Sequence, residues 1–124
     1  MTCPFCARLA ATGAEDRNDV AAAFPDGYPV SPGHTLIAPL RHESDFFDLT
    51  DAEQDGMWRL LRQVRERLQR ALSPDGFNVG INVDEAGGQT VLHAHIHVIP
   101  RYAGDAADPR GGIRWVLPGK ARYW

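Results

Sequence analysis

The sequence predicts one α+β domain, in which a long helix and a shorter N-terminal helix pack on an antiparallel sheet of about five strands. Three observations carry this prediction. Apolar residues recur at helical spacing from Thr50 to Leu72. Hydrophobic and polar residues alternate from Phe77 to Val83 and again from Val91 to Val98, which is the period of half-buried strands. With 124 residues, of which 44% are hydrophobic, the chain is expected to bury one core and to fold as a single unit over residues 1–124.

Two short extended segments precede the long helix. Residues 20–24 form an apolar run, and residues 35–39 form a second one after a turn that is rich in proline and glycine. The helix begins at Thr50, whose side chain can cap the first turn while Glu53 reaches back to complete a capping box. The Ser-Pro-Asp-Gly sequence of residues 73–76 ends the helix.

Charge and composition exclude several function classes. The formal net charge of −3 argues against a nucleic-acid interface that covers the whole domain. No stretch of eighteen apolar residues and no leader-like start is evident, so we expect no membrane partner and a cytoplasmic location. In such a compartment Cys3 and Cys6 suit free thiols, redox chemistry or metal binding better than a structural disulfide. Residues 101–124 carry five basic against two acidic residues, which suits an anionic ligand.

Three histidines occupy every second position of one predicted strand. His93, His95 and His97 would share one face of the sheet at intervals of about 6.5–7 Å, so a single metal ion could bind two of them but would strain to collect all three. A glycine-containing segment, residues 87–90, comes directly before them, and glycine lets backbone amides approach an anion. A neutral imidazole with one free nitrogen is a competent nucleophile. The combination predicts a histidine nucleophile beside an oxyanion cradle.

The segment QTVLHAHIHVIP resembles the His-φ-His-φ-His-φ-φ motif of the histidine-triad (HIT) superfamily of nucleotide hydrolases and transferases, where φ is apolar. Upstream, AFPDGYPVSPGHTLIAPLRHE resembles the nucleoside-binding and Gly-His-x-Leu region of the family, and GFNVGINVDEAGGQTV resembles its phosphate loop. The resemblance covers most of the chain. It implies a HIT-like fold, a hydrolase that acts on an adenine or guanine nucleotide, and a homodimer.

The resemblance also assigns catalytic roles. His95 would attack an α-phosphorus and form a covalent nucleotidyl-histidine, which water would then resolve. His97 would hydrogen-bond the phosphate, and Thr90 would donate to the leaving group. His34 would help to orient the histidines.

Substrate-binding roles follow from the same resemblance. Asp26 would bind the ribose hydroxyls beside a base pocket that includes Phe24. Asn82 and the backbone of Gly88 and Gln89 would hold the α-phosphate oxygens.

A structural zinc site is a further implication. Bacterial members of the family pair a similar N-terminal C-x-x-C with a histidine after the Gly-His-x-Leu strand and with the first histidine of the triad. A tetrahedral Cys₂His₂ set of this kind suits Zn²⁺. The corresponding residues here are Cys3, Cys6, His42 and His93. His95 and His97 would remain for the phosphate, and no catalytic metal is expected.

Three functional classes stay open at this point. The first is an enzyme that cleaves nucleoside phosphoramidates, which Asn82 and the short chain favour, or dinucleoside polyphosphates, which Thr90 and the basic tail favour. The second is a nucleotide-binding or interaction module with incidental hydrolysis. The third is a histidine-ligated metalloenzyme, against which we count the lack of a carboxylate at the spacing of a facial metal set. The aromatic residues of the tail could contact a partner subunit or substrate; they are Trp115, Tyr123 and Trp124.

Overall fold

The structure, a computed structural model, describes residues 2–13 and 16–124. Its centre is an antiparallel sheet of four strands in the order β1-β2-β4-β3. The strands are β1 (Ala21–Pro25), β2 (Thr35–Pro39), β3 (Gly76–Gly80) and β4 (Ile96–Arg101), and the helices are α1 (Pro4–Ala11) and α2 (Asp51–Leu72). The α+β class and both helices are confirmed, whereas the expected count of about five strands is wrong for the part of the chain that the structure describes.

Strand β4 begins later than the alternation predicts. It starts at Ile96, so that His93 and His95 lie in the irregular segment that precedes it. β2 and β4 pair from Thr35↔Val98 to Ile37↔Ile96. Pro39 has no N–H to donate and cannot extend this ladder. The chain ahead of β4 is held instead by the loop after β2, because the Ala94 amide donates to the Glu43 carbonyl at 2.7 Å.

The sheet separates two buried clusters, because successive side chains of a strand point to opposite faces. One cluster packs beneath α2 and includes Ile37, Ile96 and Val98. The other lies beneath α1 and includes Phe24 and Leu36. His97 lies between Ile96 and Val98 in the chain, so its side chain projects to the face that carries α1. The fold therefore brings the last triad histidine and the N-terminal helix to the same side.

Helix α2 carries the predicted capping box. The Thr50 hydroxyl accepts the Glu53 amide at 3.1 Å, and the Glu53 carboxylate accepts the Thr50 amide at 2.9 Å. The same carboxylate pairs with Arg41 at 2.8 Å, and this bond is the main reason why the pKa of Glu53 falls to about 2. No described helix, α2 included, is both long enough and apolar enough to cross a membrane.

Candidate active site

The predicted metal ligands meet beside the start of α1. The Cys6 Sγ lies 3.4 Å from the His42 Nδ1 and 3.6 Å from the His93 Nδ1. The Cys3 Sγ lies 3.5 Å from the His93 Nδ1, and the two Nδ1 atoms are 3.2 Å apart. Sulfur and nitrogen ligands held at 2.0–2.3 Å by a tetrahedral ion lie about 3.3–3.8 Å from one another. The four side chains therefore fit around one tetrahedral metal ion.

The tautomer of His93 suits metal binding. Its ring is fully buried, and its Nε2 lies 2.8 Å from the Pro39 carbonyl. Since a carbonyl only accepts hydrogen bonds, Nε2 carries the hydrogen and Nδ1 keeps its lone pair for the metal. Cys3 is held as well, because its Sγ accepts the Cys6 amide at 3.4 Å and caps α1.

His95 presents a free nitrogen to the adjoining cleft. Its Nδ1 lies 2.8 Å from the His93 carbonyl, which fixes the hydrogen on Nδ1 and leaves the lone pair on Nε2. The residue is 6% exposed. Burial lowers the pKa of His95, while the bond to the His93 carbonyl and the charge of Asp26 act in the opposite direction. The ring is therefore neutral near pH 7, as a nitrogen nucleophile requires.

A chain of hydrogen bonds sets the tautomer of His97. The Val30 amide donates to the His34 Nδ1 at 3.1 Å, so the neutral His34 ring carries its hydrogen on Nε2. That Nε2 lies 2.9 Å from the His97 Nδ1 and donates to it. The remaining hydrogen of His97 is then on its own Nε2. The resemblance to the HIT superfamily implied that His34 orients the histidines, and the structure brings its ring into hydrogen-bond contact with His97.

Asp26, His34 and His97 form a second cluster of ligand type. The Asp26 Oδ2 lies 3.3 Å from the His34 Nε2 and 3.9 Å from the His97 Nδ1. Our expectation that no carboxylate completes a facial set is therefore wrong. A metal ion does not fit this cluster, because the Val30 amide donates to the His34 Nδ1. The His34 Nε2 then carries a hydrogen and has no lone pair for a metal. The cluster is better described as a hydrogen-bonded chain.

These histidines line a cleft of about 630 Å³. One part of the lining is polar and comprises Asn82, Thr90, His95 and His97. Another part is largely apolar and includes Pro4, Phe5, Tyr28, Val30 and Leu36. Asp26 and Arg8 add the charged groups. The cleft can therefore accommodate a ligand with an anionic centre and a flat apolar group.

Phe24, which we expected in a base pocket, lies behind the cleft. It is 5% exposed, and its ring packs edge-on against Phe5 with the centroids 5.3 Å apart. The Phe5 ring lies 4.9 Å from the His95 ring and lines the cleft itself. Phe5 is not among the site residues that the sequence predicted. Its position between the two predicted metal ligands Cys3 and Cys6 could have indicated this, since a metal bound to them and to His93 would hold Phe5 beside the triad.

The two amides that we expected to hold phosphate instead donate hydrogen bonds within the glycine-containing loop. The Gly88 amide donates to the Glu85 carbonyl at 2.9 Å, and the Gln89 amide donates to the Asp84 carbonyl at 3.0 Å. The Gln89 side chain closes the same loop, because its Oε1 accepts the Asp84 amide at 2.9 Å. Within residues 2–13 and 16–124, the amides of Thr90 and Val91 donate to no protein acceptor.

The comparisons with known proteins agree with this geometry. Residues 16–104 match the model of the HIT domain. The chain belongs to the HIT domain family. Its HIT domain is 32% identical to a Zn-bound histidine triad family protein from Mycobacterium smegmatis, whose crystal structure superposes with a TM-score of 0.76 over 87% of this chain and 81% of that one.

Two curated relatives of this HIT domain have named activities. The AP-4-A phosphorylase of Mycobacterium tuberculosis is 40% identical over 73% of this chain and 47% of its own length. The asymmetrical bis(5'-nucleosyl)-tetraphosphatase of Schizosaccharomyces pombe is 35% identical over 74% of this chain and 50% of its own. The HIT domain thus spans about half the length of these relatives.

The aromatic residues of the C-terminal segment of this HIT domain pack on neighbouring arginines. Arg110 lies over the Trp124 ring at 4.6 Å, Arg114 over the Tyr123 ring at 5.0 Å, and Arg122 over the Trp115 ring at 5.8 Å. None of the described residues that line the cleft comes from residues 101–124.

The HIT domain is expected to lose stability between pH 7 and pH 5 in a way that depends on His97. Burial and the charges of His95 and His34 lower the pKa of His97 to about 4, which Asp26 opposes. An unfolded histidine titrates near 6.5, so below that pH the unfolded chain binds a proton that the folded ring does not. Stability from this ring is therefore complete above about pH 6.5 and is lost as the pH falls towards 4.

Urea unfolding at pH 7 and pH 5 measures this loss. We expect the free energy of unfolding of the wild type to fall by about 1–2 kcal/mol more than that of His97→Gln, which has no titrating ring. An equal fall in both proteins would contradict the assignment.

Proposed function

We propose that this HIT domain is a nucleotide hydrolase that cleaves the α-phosphate linkage of dinucleoside polyphosphates or nucleoside phosphoramidates through a covalent nucleotidyl-histidine. The observation that carries the proposal is the tautomer of His95. Its Nδ1 donates to the His93 carbonyl at 2.8 Å, which leaves a neutral nitrogen with a free lone pair in a cleft that can hold a nucleotide.

The reaction would proceed in two displacements. The His95 Nε2 attacks the α-phosphorus, a P–N bond forms, and the bond from phosphorus to the leaving group breaks. The bonding electrons leave with a nucleoside polyphosphate, or with an amine that takes a proton. Water then attacks the same phosphorus, the P–N bond to His95 breaks, and a nucleoside monophosphate is released while the water gives up a proton.

Four residues would stabilise charge on the phosphate oxygens. The His97 Nε2–H is a donor because the His97 Nδ1 already accepts from His34. Asn82 lines the cleft and offers an amide, and Thr90 offers both its hydroxyl and its backbone N–H. We assign the backbone part of the cradle to Thr90 and Val91 in place of Gly88 and Gln89, whose amides are used within the loop.

The nucleoside would lie along the apolar part of the cleft. Asp26 also lines the cleft and carries a carboxylate that can accept ribose hydroxyls. Phe5 and Leu36 offer apolar contacts to the base. The names of the two relatives, a phosphorylase and a tetraphosphatase, support dinucleoside polyphosphates as the first substrates to test.

The same proposal includes a structural zinc ion held by the Cys₂His₂ set, whose thiolate and imidazole donors are those that Zn²⁺ prefers. That ion would tie α1, and with it Phe5, to the segment that carries the triad. A cytoplasmic location, where thiols stay reduced, suits these ligands. The family resemblance adds a homodimer to the proposal.

A substrate panel with detection of the intermediate tests the proposal. Diadenosine polyphosphates, adenosine phosphoramidate and their guanosine analogues are assayed for kcat/KM. In parallel, reactions are denatured at alkaline pH within the first turnovers and weighed by intact mass spectrometry. We expect turnover of at least one substrate class, with a protein adduct of one nucleoside monophosphate. Turnover without an adduct would contradict the covalent route, and an adduct without turnover would favour a nucleotide-binding module.

A further inference from the structure

The cleft contains a cation that neither the histidine chemistry nor the metal site uses. Arg8 is the one lysine or arginine among the described residues that line the cleft. Its Nη2 donates to the Pro25 carbonyl at 2.6 Å, and its guanidinium carbon lies 4.8 Å from the centroid of the Phe24 ring. These two contacts hold the guanidinium in a defined plane. A guanidinium has five N–H donors, so most of them remain for a ligand.

Arg8 lies at the nucleoside end of the cleft. The phosphorus atom must come within about 3–3.5 Å of the His95 Nε2 to react. The Phe5 ring packs against His95 on one side and against Phe24 on the other, with centroids 4.9 Å and 5.3 Å away. Arg8 stacks on Phe24, one aromatic ring further from the nucleophile. Its partner Pro25 directly precedes Asp26, the residue that we assign to the ribose.

We propose that Arg8 reads the base of the nucleotide and makes this site prefer a 6-oxopurine, such as guanine, over adenine. The inference rests on the proposed nucleotide hydrolase function and names its substrate class more closely.

The hydrogen-bond donors and acceptors of the two purines determine which of them Arg8 prefers. Guanine presents two adjacent acceptors, N7 and O6, and the planar fork of an arginine donates to both. Adenine presents the N7 acceptor beside an N6 amino donor, which would face an N–H of the guanidinium. A bidentate pair of this kind discriminates between bases by about 5- to 150-fold. The contacts of Arg8 with Pro25 and Phe24 add to this, because they reduce the side-chain freedom that is lost on binding.

Binding of nucleoside monophosphates tests the inference without turnover. GMP, IMP and AMP share the ribose and the phosphate, and IMP keeps N7 and O6 but lacks the 2-amino group of guanine. Isothermal titration of the wild-type protein is expected to give dissociation constants for GMP and IMP that are about 5- to 150-fold below that for AMP. Equal constants for all three would overturn the role of Arg8, whereas no binding of any of them would overturn the nucleotide site itself. A preference for GMP that IMP does not share would overturn recognition through O6.

Two variants of Arg8 separate base recognition from simple charge. Arg8→Leu is expected to bring the three constants to within about twofold of one another. Arg8→Lys keeps the charge but not the planar fork, so it is expected to keep only part of the preference. Its side chain can still lie over Phe24, so this variant serves if Arg8→Leu fails to fold. Arg62→Leu, on the exposed face of α2, is the matched control and should bind as the wild type does. Equal weakening of all three nucleotides in both Arg8 variants would assign Arg8 to ribose or phosphate and overturn the proposal.

Discussion

His95→Asn is expected to lower kcat by roughly three orders of magnitude or more and to abolish the covalent adduct. Asparagine has no nitrogen lone pair that can attack phosphorus, yet its amide N–H can still donate to the His93 carbonyl, to which the His95 Nδ1 donates at 2.8 Å. The fold and the affinity for a nucleoside monophosphate should therefore change little. Steady-state kinetics and intact mass spectrometry of both proteins measure the difference.

His97→Asn is the matched control for this experiment. It shortens the side chain that donates to the phosphate but leaves the nucleophile in place, so we expect a smaller loss, of about 10²-fold, with the adduct still formed. Equal rates for the wild type and His95→Asn would exclude His95 from the chemistry. A loss of kcat in His97→Asn as large as that in His95→Asn, with the adduct absent from both, would leave the identity of the nucleophile open to His97.

Removal of the proposed zinc ion is expected to lower the unfolding temperature by about 10 °C or more, because the binding energy of a structural metal contributes directly to folding. Protein purified without chelator should contain about one zinc ion per chain. A chelator should destabilise the wild type but not Cys3→Ser, in which one of the four converging ligands is already missing. Protein without zinc, together with unchanged stability of Cys3→Ser, would remove the metal from the account.

Local patterns predicted the long helix and its first turn. The capping box of Thr50 and Glu53 depends only on residues three apart, and it forms as expected. The start of β4 could not be found in the same way. The alternation of apolar and polar residues already begins at Val91. A strand also needs a paired neighbour, however, and Pro39 on the neighbouring strand has no N–H with which to pair.

Contacts between distant segments account for the other differences. Whether Phe5 or Phe24 lines the cleft depends on how α1 lies on the sheet, and no periodicity of residues 4–11 encodes that placement. The turn at residues 85–87 determines which amides of the loop are free. The carbonyls of Glu85 and Asp84 accept hydrogen bonds from the amides of Gly88 and Gln89. The carboxylate of Asp26 joins His34 and His97 although His97 lies 71 positions further along the chain.

His93 contacts both the Cys₂His₂ cluster and His95, through different atoms. Its ring nitrogen points into the cluster of thiols, and its peptide oxygen takes the hydrogen of the neighbouring imidazole. A rotation of this one peptide unit would free that imidazole to exchange its hydrogen between its two nitrogens. Molecules that lose the proposed zinc ion but stay folded would then offer phosphorus an N–H instead of an electron pair, and they would be inactive in the proposed reaction.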